Sequence, residues 1–114
     1  MYRVLYTTSM TSLVRVTKKK IMDQLNLVFD PEMHISIVDM GLVYEVTVKK
    51  PFMVHILMTL TTIGCPLFGL IEEDIYLKLS EMGVERKNTI IEMTFDPPWD
   101  MNRMTKRGKA LLGI

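Results

Sequence analysis

Apolar and polar positions alternate with two different periods along this chain, and the switches between periods outline its elements. Val14, Ile21, Leu25 and Val28 recur at spacings of seven, four and three, which predicts a helix over about Leu13 to Val28. Asp30-Pro31-Glu32 should end it, because proline disfavours helical geometry in the residue before it. Leu42 to Lys49 alternates instead, with Leu42, Tyr44, Val46 and Val48 on one face and Val43, Glu45, Thr47 and Lys49 on the other. Met53 to Leu60 also alternates, placing Val54, Ile56, Met58 and Leu60 together. The short link Lys50-Pro51-Phe52 makes these two runs an antiparallel hairpin. Leu67, Leu70, Ile71, Ile75, Leu79 and Met82 return to the helical period, and Gly83 supplies a C′ stop. Thr89 to Phe95 reads as a third strand, broken by Asp96-Pro97-Pro98-Trp99-Asp100. Thr105 to Leu112 fits a short basic closing helix, weakened at Gly108 by about 1 kcal/mol relative to alanine.

The order helix, strand, strand, helix, strand, short helix predicts an α+β fold: a two-layer α/β sandwich with a small mixed three-stranded sheet and helices on one face. The unit from Met53 to Phe95 should be a right-handed crossover between parallel strands. The other sheet face carries Val43, Glu45, His55, Leu57, Ile90 and Glu92. That mixture is too apolar for full solvation and too polar for a core, and it fits a homodimer or partner surface. Residues 1–12 have no strong period and read as a weakly structured leader or an edge strand, leaving 13–114 as a single domain. Residues 30–41 form a long segment with no clear period, closed by the turn Asp39-Met40-Gly41 that launches the first strand.

Composition narrows the class. With 114 residues, 48% apolar and 24% charged, and a net charge of +1, the chain suits one globular domain. Neither disorder nor a nucleic-acid binder committed by charge fits those values. Hydroxyl residues interrupt the first twenty positions, and no run approaches the roughly 20 apolar residues of a membrane span. The single cysteine excludes an intrachain disulfide, so a cytoplasmic setting is expected. Eleven methionines point to an adaptable core.

Candidate chemistry centres on that cysteine, in the run Thr59-Leu60-Thr61-Thr62-Ile63-Gly64-Cys65-Pro66. A helix starting at Pro66 would put Cys65 at its N-cap, where unsatisfied backbone N–H groups favour thiolate. Thr61, Thr62 and Gly64 support such a loop by hydrogen bonding and close backbone approach. The alternative is a buried small hydrophobe, as most free cysteines are. His34 and His55 have no spacing that forces either toward the thiol. Asp30, Glu32, Asp39, Asp96 and Asp100 lie in loops, where each can cap a turn or, with the threonines and Cys65, line one end of the sheet. Lys18, Lys19 and Lys20 read as a solvated helix face. Trp99 either plugs the edge of a core or contacts a partner.

Three runs, DPEMHISIVDMGLVYEVTV, MTLTTIGCPL, and MTFDPPWDMNRMT followed by GKALLGI, occur in the order of a known family. Over about Leu13 to Ile114 the chain resembles the SufT/PaaD-like proteins of iron–sulfur cluster assembly. The resemblance implies an accessory factor in assembling clusters or delivering them to client apoproteins, not an enzyme. It implies that Cys65 is the family's reactive thiol; as the chain's one cysteine it would bind iron or a cluster edge transiently, with a partner supplying the remaining ligands, while an adaptor that recruits apoproteins without touching iron fits the same residues. Asp30, Glu32, Asp39, Gly41, Thr62, Asp96, Pro97 and Trp99 match the family's acidic, turn and loop positions. Iron–sulfur assembly proteins, client apoproteins and a second copy are the partners implied. PaaD-type service to a multicomponent oxygenase is an alternative, as is a transfer enzyme with Cys65 as nucleophile. Clusters usually take four protein ligands, and one cysteine cannot supply them.

Overall fold

The computed structural model describes residues 16–49, 53–61 and 68–114. Helix α1 (Lys18–Leu25) is followed by strands β1 (Val43–Lys49) and β2 (Met53–Met58), helix α2 (Phe68–Ser80), strand β3 (Thr89–Met93) and helix α3 (Lys106–Leu112). Single 3-10 turns at Arg86–Asn88 and Met101–Arg103 precede β3 and α3. The sheet order is β1-β2-β3, with β1 antiparallel and β3 parallel to β2. This is the expected α+β sandwich.

One face of the sheet and the helices share a single core. Ile21 and Leu25 of α1 and Ile71, Ile75 and Leu79 of α2 pack with Val46, Val54, Ile56 and Met58, all nearly inaccessible to solvent. Burying each such side chain is worth about 1.5–3 kcal/mol, so periodicity alone settles the layers. Gly83 ends α2 as expected: its φ is +93°, its N–H donates to the Ser80 carbonyl, and the Val84 N–H donates to the Leu79 carbonyl.

Two expectations change. Helix α1 does not span Leu13 to Val28; Thr17 caps its start by accepting from the Lys20 N–H, and Asn26 ends it. Val28 is buried all the same, because the chain turns at 26–27 and folds it inward. Val43 belongs to the core side and not to the mixed face. The β1–β2 register steps from Val43↔Met58 to Glu45↔Leu57, a bulge that inserts Tyr44 and reverses the faces on either side of it. Residues 30–41, which follow no period in the sequence, pack as part of the domain. Ile35, Ile37 and Met40 are core residues, and an isolated bridge joins Phe29 to Ser36. The expectations for residues 1–12 and for a helix start at Pro66 lie outside the described residues.

The open sheet face carries Glu45, Thr47, His55, Leu57, Ile90 and Glu92, as their cross-strand register places them. His55 Nε2 lies 2.8 Å from Glu92 Oε1 there.

Candidate functional site

Two turns in the segment 30–41 build the site. At the first, Asp30 Oδ1 accepts from the backbone N–H groups of Glu32 (2.8 Å) and Met33 (3.0 Å). The Asp30 carbonyl accepts from the His34 N–H at 2.8 Å, and His34 itself takes a positive φ of 59°. A carboxylate capping its own turn explains why an aspartate precedes Pro31.

At the second turn, Asp39 fastens the C-terminal segment. Its Oδ1 accepts from the Thr105 hydroxyl at 2.8 Å, and its Oδ2 lies 3.3 Å from Arg107 Nε. The Asp39 carbonyl accepts from the Thr105 N–H at 3.0 Å, while its own N–H donates to Ser36 Oγ at 2.9 Å. Two glycines permit this approach. A Cβ on Gly108 would overlap the Asp39 carbonyl oxygen. A Cβ on Gly41, whose φ is +77°, would overlap the Arg103 carbonyl. Gly108 is therefore no weak point of α3; it is the contact that seats the helix. Thr105 also caps α3, accepting from the Gly108 N–H at 3.0 Å.

Trp99 completes the fastening. Its indole N–H donates to the Met40 carbonyl at 2.6 Å, and its ring packs on the core. Beside it, the Tyr44 hydroxyl donates to the Pro97 carbonyl at 2.8 Å, and Arg103 lies over the Tyr44 ring at 4.5 Å.

Between these two turns and the C-terminal segment lies a cavity of about 270 Å³. Asp30, Glu32, Thr61 and Trp99 line it together with the methionines Met33, Met40, Met101 and Met104. Met33 and Met101 are 40% and 49% exposed, so the cavity opens to solvent. Four positions from three separate sequence motifs thus meet at one place.

Other expected positions do not. Asp39 is buried and its carboxylate is spent on Thr105 and Arg107, and Gly41 serves the turn. Asp96 is exposed and away from the cavity, its N–H donating to Thr94 Oγ1. Asp100 caps the turn at Met101–Arg103. Neither histidine lines the cavity. Cys65, Thr62, Gly64 and Pro66 lie outside the described residues; Thr61, the last described residue before them, borders the cavity. Among the described residues, no three His, Asp or Glu side chains form a metal-binding group. The methionine lining escaped sequence reasoning because those residues follow no period. Thr105 was readable as a helix cap, but its reach to Asp39, 66 positions away, was not.

Comparison with known proteins places these features. The chain is 39% identical over 97 residues to the Fe-S protein maturation auxiliary factor YitW of Bacillus subtilis, covering 85% of this chain and 94% of that protein. It is 36% identical to the Fe-S protein maturation auxiliary factor SufT of Staphylococcus aureus, covering 77% and 99% respectively. The crystal structure of a DUF59 domain from Bacillus anthracis superposes with a TM-score of 0.79 at 38% identity, covering 85% of this chain and 92% of that one. The family described as "Iron-sulfur cluster assembly protein" matches residues 18–90, from the first residue of α1 through the start of β3, and this chain belongs to it.

Proposed function

We propose that this protein is an auxiliary factor in the maturation of iron–sulfur proteins, with Cys65 as a transient ligand for iron or a cluster in transit. The convergence of Asp30, Glu32, Thr61 and Trp99 on one open cavity carries this reading. Three residues, Thr62, Ile63 and Gly64, separate Thr61 from Cys65, so the two Cα atoms are at most about 14 Å apart along a fully extended chain. The relatives named as maturation auxiliary factors support the same role.

The chemistry follows from ligand number. A thiolate is the ligand form of cysteine, and a cluster usually takes four such ligands. This chain brings one. A cluster bound through Cys65 must take its other ligands from an assembly protein, a client apoprotein or a second copy. Incomplete ligation suits hand-over, because a client with a full cysteine set replaces the shared ligands one at a time. This is a binding function and not turnover of a substrate. A cytoplasmic location accords with it, and among the described residues no helix is long and apolar enough to cross a membrane.

The test is anaerobic reconstitution with iron and sulfide, followed by transfer to a separately purified iron–sulfur apoenzyme. Wild-type protein should take up iron with visible thiolate-to-iron absorption and restore the apoenzyme's activity. Cys65→Ser should lose both. Equal iron content and equal transfer by the two proteins would sink the ligand role.

A further inference from the structure

The cavity combines an apolar wall with an unanswered negative charge. Asp30 is 9% exposed, and its Oδ1 is engaged by two backbone N–H groups. Among the described residues, no hydrogen-bond donor reaches its Oδ2, and neither Asp30 nor Glu32 has an ion-pair partner. Among the described residues no Lys or Arg lines the cavity, whose other contributors include Trp99 and four methionine side chains. Elsewhere a largely buried carboxylate does find its cation, as Asp39 does with Arg107.

We propose that this cavity receives an arginine side chain from a client apoprotein, its stem against the methionines and Trp99 and its guanidinium on the Asp30 carboxylate. The proposal rests on the maturation role above and names how a client is held while the thiol segment beside Thr61 acts. Four arguments select the occupant. A purely apolar side chain would fill the space but strand a nearly buried carboxylate without a counter-charge. A hard divalent ion would meet two carboxylates and the Thr61 hydroxyl amid thioethers, which are poor ligands for it, and among the described residues no three His, Asp or Glu side chains gather there. A long cationic side chain satisfies both surfaces, because its methylene stem is apolar and its head is charged. Arginine suits the site better than lysine: its planar head is less strongly hydrated and stacks on an indole face. The volume of about 270 Å³ falls just below the 300–1,000 Å³ of pockets for drug-sized ligands, a fit for a single side chain. Unbranched, polarisable methionines reshape easily, so differing sequences around the arginine are tolerated.

Trp99 is the only tryptophan, so intrinsic fluorescence reports directly on this cavity. The full chain should be titrated with three capped tripeptides, Gly-Arg-Gly, Gly-citrulline-Gly and Gly-Leu-Gly, and separately with ferrous sulfate alone. The arginine peptide should give a saturable change, with the neutral isostere citrulline about tenfold weaker, equivalent to about 1.4 kcal/mol. Asp30→Asn keeps an oxygen to accept from the turn N–H groups but removes the charge, and should abolish the preference for arginine over citrulline. Glu32→Gln, at an exposed position, should reduce it by a smaller factor and keeps the test valid should Asp30→Asn not fold. Equal binding of the leucine peptide, no saturable response to arginine, or displacement of the arginine peptide by ferrous ion would each overturn the proposal. Because Cys65 takes no part in this titration, its outcome is independent of the reconstitution test.

Discussion

Two of this fold's carboxylate–cation contacts, at Asp39 and Glu73, differ in burial far more than in chemistry. Asp39 meets Thr105 and Arg107 with its own side chain only 8% exposed, joining parts of the chain 66 positions apart. Glu73 meets Arg86 through two hydrogen bonds of 3.1 and 2.8 Å, across 13 positions, with both side chains about 60% exposed. Arg86 also lies over the Tyr76 ring at 4.1 Å. By geometry the exposed pair is the better one, since its contact is bidentate. Burial reverses the ranking. Water can replace either partner of Glu73, whereas a buried Asp39 oxygen deprived of its donor has little to turn to.

The largest effect should come from Thr105→Val. It removes the donor to Asp39 Oδ1 and the cap on the Gly108 N–H while keeping the shape of the side chain. Losing the cap and stranding a buried acceptor should together cost about 2–4 kcal/mol. Urea unfolding should show a lower midpoint at unchanged slope. Thr105→Ser retains the hydroxyl and should stay within about 1 kcal/mol of wild type. A loss for serine as large as for valine would show that the methyl, and not the latch, matters.

Next in size is a contrast between two helical glycines. A Cβ at Gly69 in α2 meets nothing within 4 Å, whereas at Gly108 it strikes the Asp39 carbonyl. Gly69→Ala should therefore stabilise by up to about 1 kcal/mol through helix propensity. Gly108→Ala gains the same propensity but must push α3 off the latch, an overpacking cost of about 1–3 kcal/mol that should leave it net destabilised. The same pair of melting curves tests both signs. A stabilised Gly108→Ala would mean that α3 is not seated on Asp39.

These two sites also show what was legible in the sequence. Period two and period 3.6 carried the sheet, α2 and the strand pairing, because burial of one face acts over a handful of neighbouring residues. Tyr44 defeated that logic: an inserted residue leaves the alternation looking intact while it reverses Val43. Gly108 looked like a defect for a related reason. Helix propensity is local, and the Asp39 carbonyl that requires a glycine there lies far away in the chain. At the candidate site, Asp30, Glu32, Thr61 and Trp99 were legible as residue types out of place in loops. Asp39 and Asp96 looked equivalent to Asp30 by the same criterion. Only three-dimensional partners separate a carboxylate spent on a hydroxyl from one with an oxygen left over.

The smallest effect belongs to the exposed fastening, and its pH dependence distinguishes it from the buried one. The Arg86 hydrogen bond holds the Glu73 carboxyl below its ordinary range, with a weaker opposing push from burial and a further pull from the Arg86 charge. A carboxylate whose folded pKa is depressed adds stability above its unfolded pKa, and loses that contribution as pH falls through the folded value. Glu73→Gln should therefore be slightly less stable than wild type at neutral pH and become indistinguishable from it in acid. High salt should shrink the neutral-pH gap as well, because both partners are open to solvent. The Thr105→Val deficit involves a neutral donor and a helix cap, so salt should leave it largely unchanged. A salt-sensitive deficit at Thr105, or a salt-insensitive one at Glu73, would overturn the assignment of burial as the deciding difference.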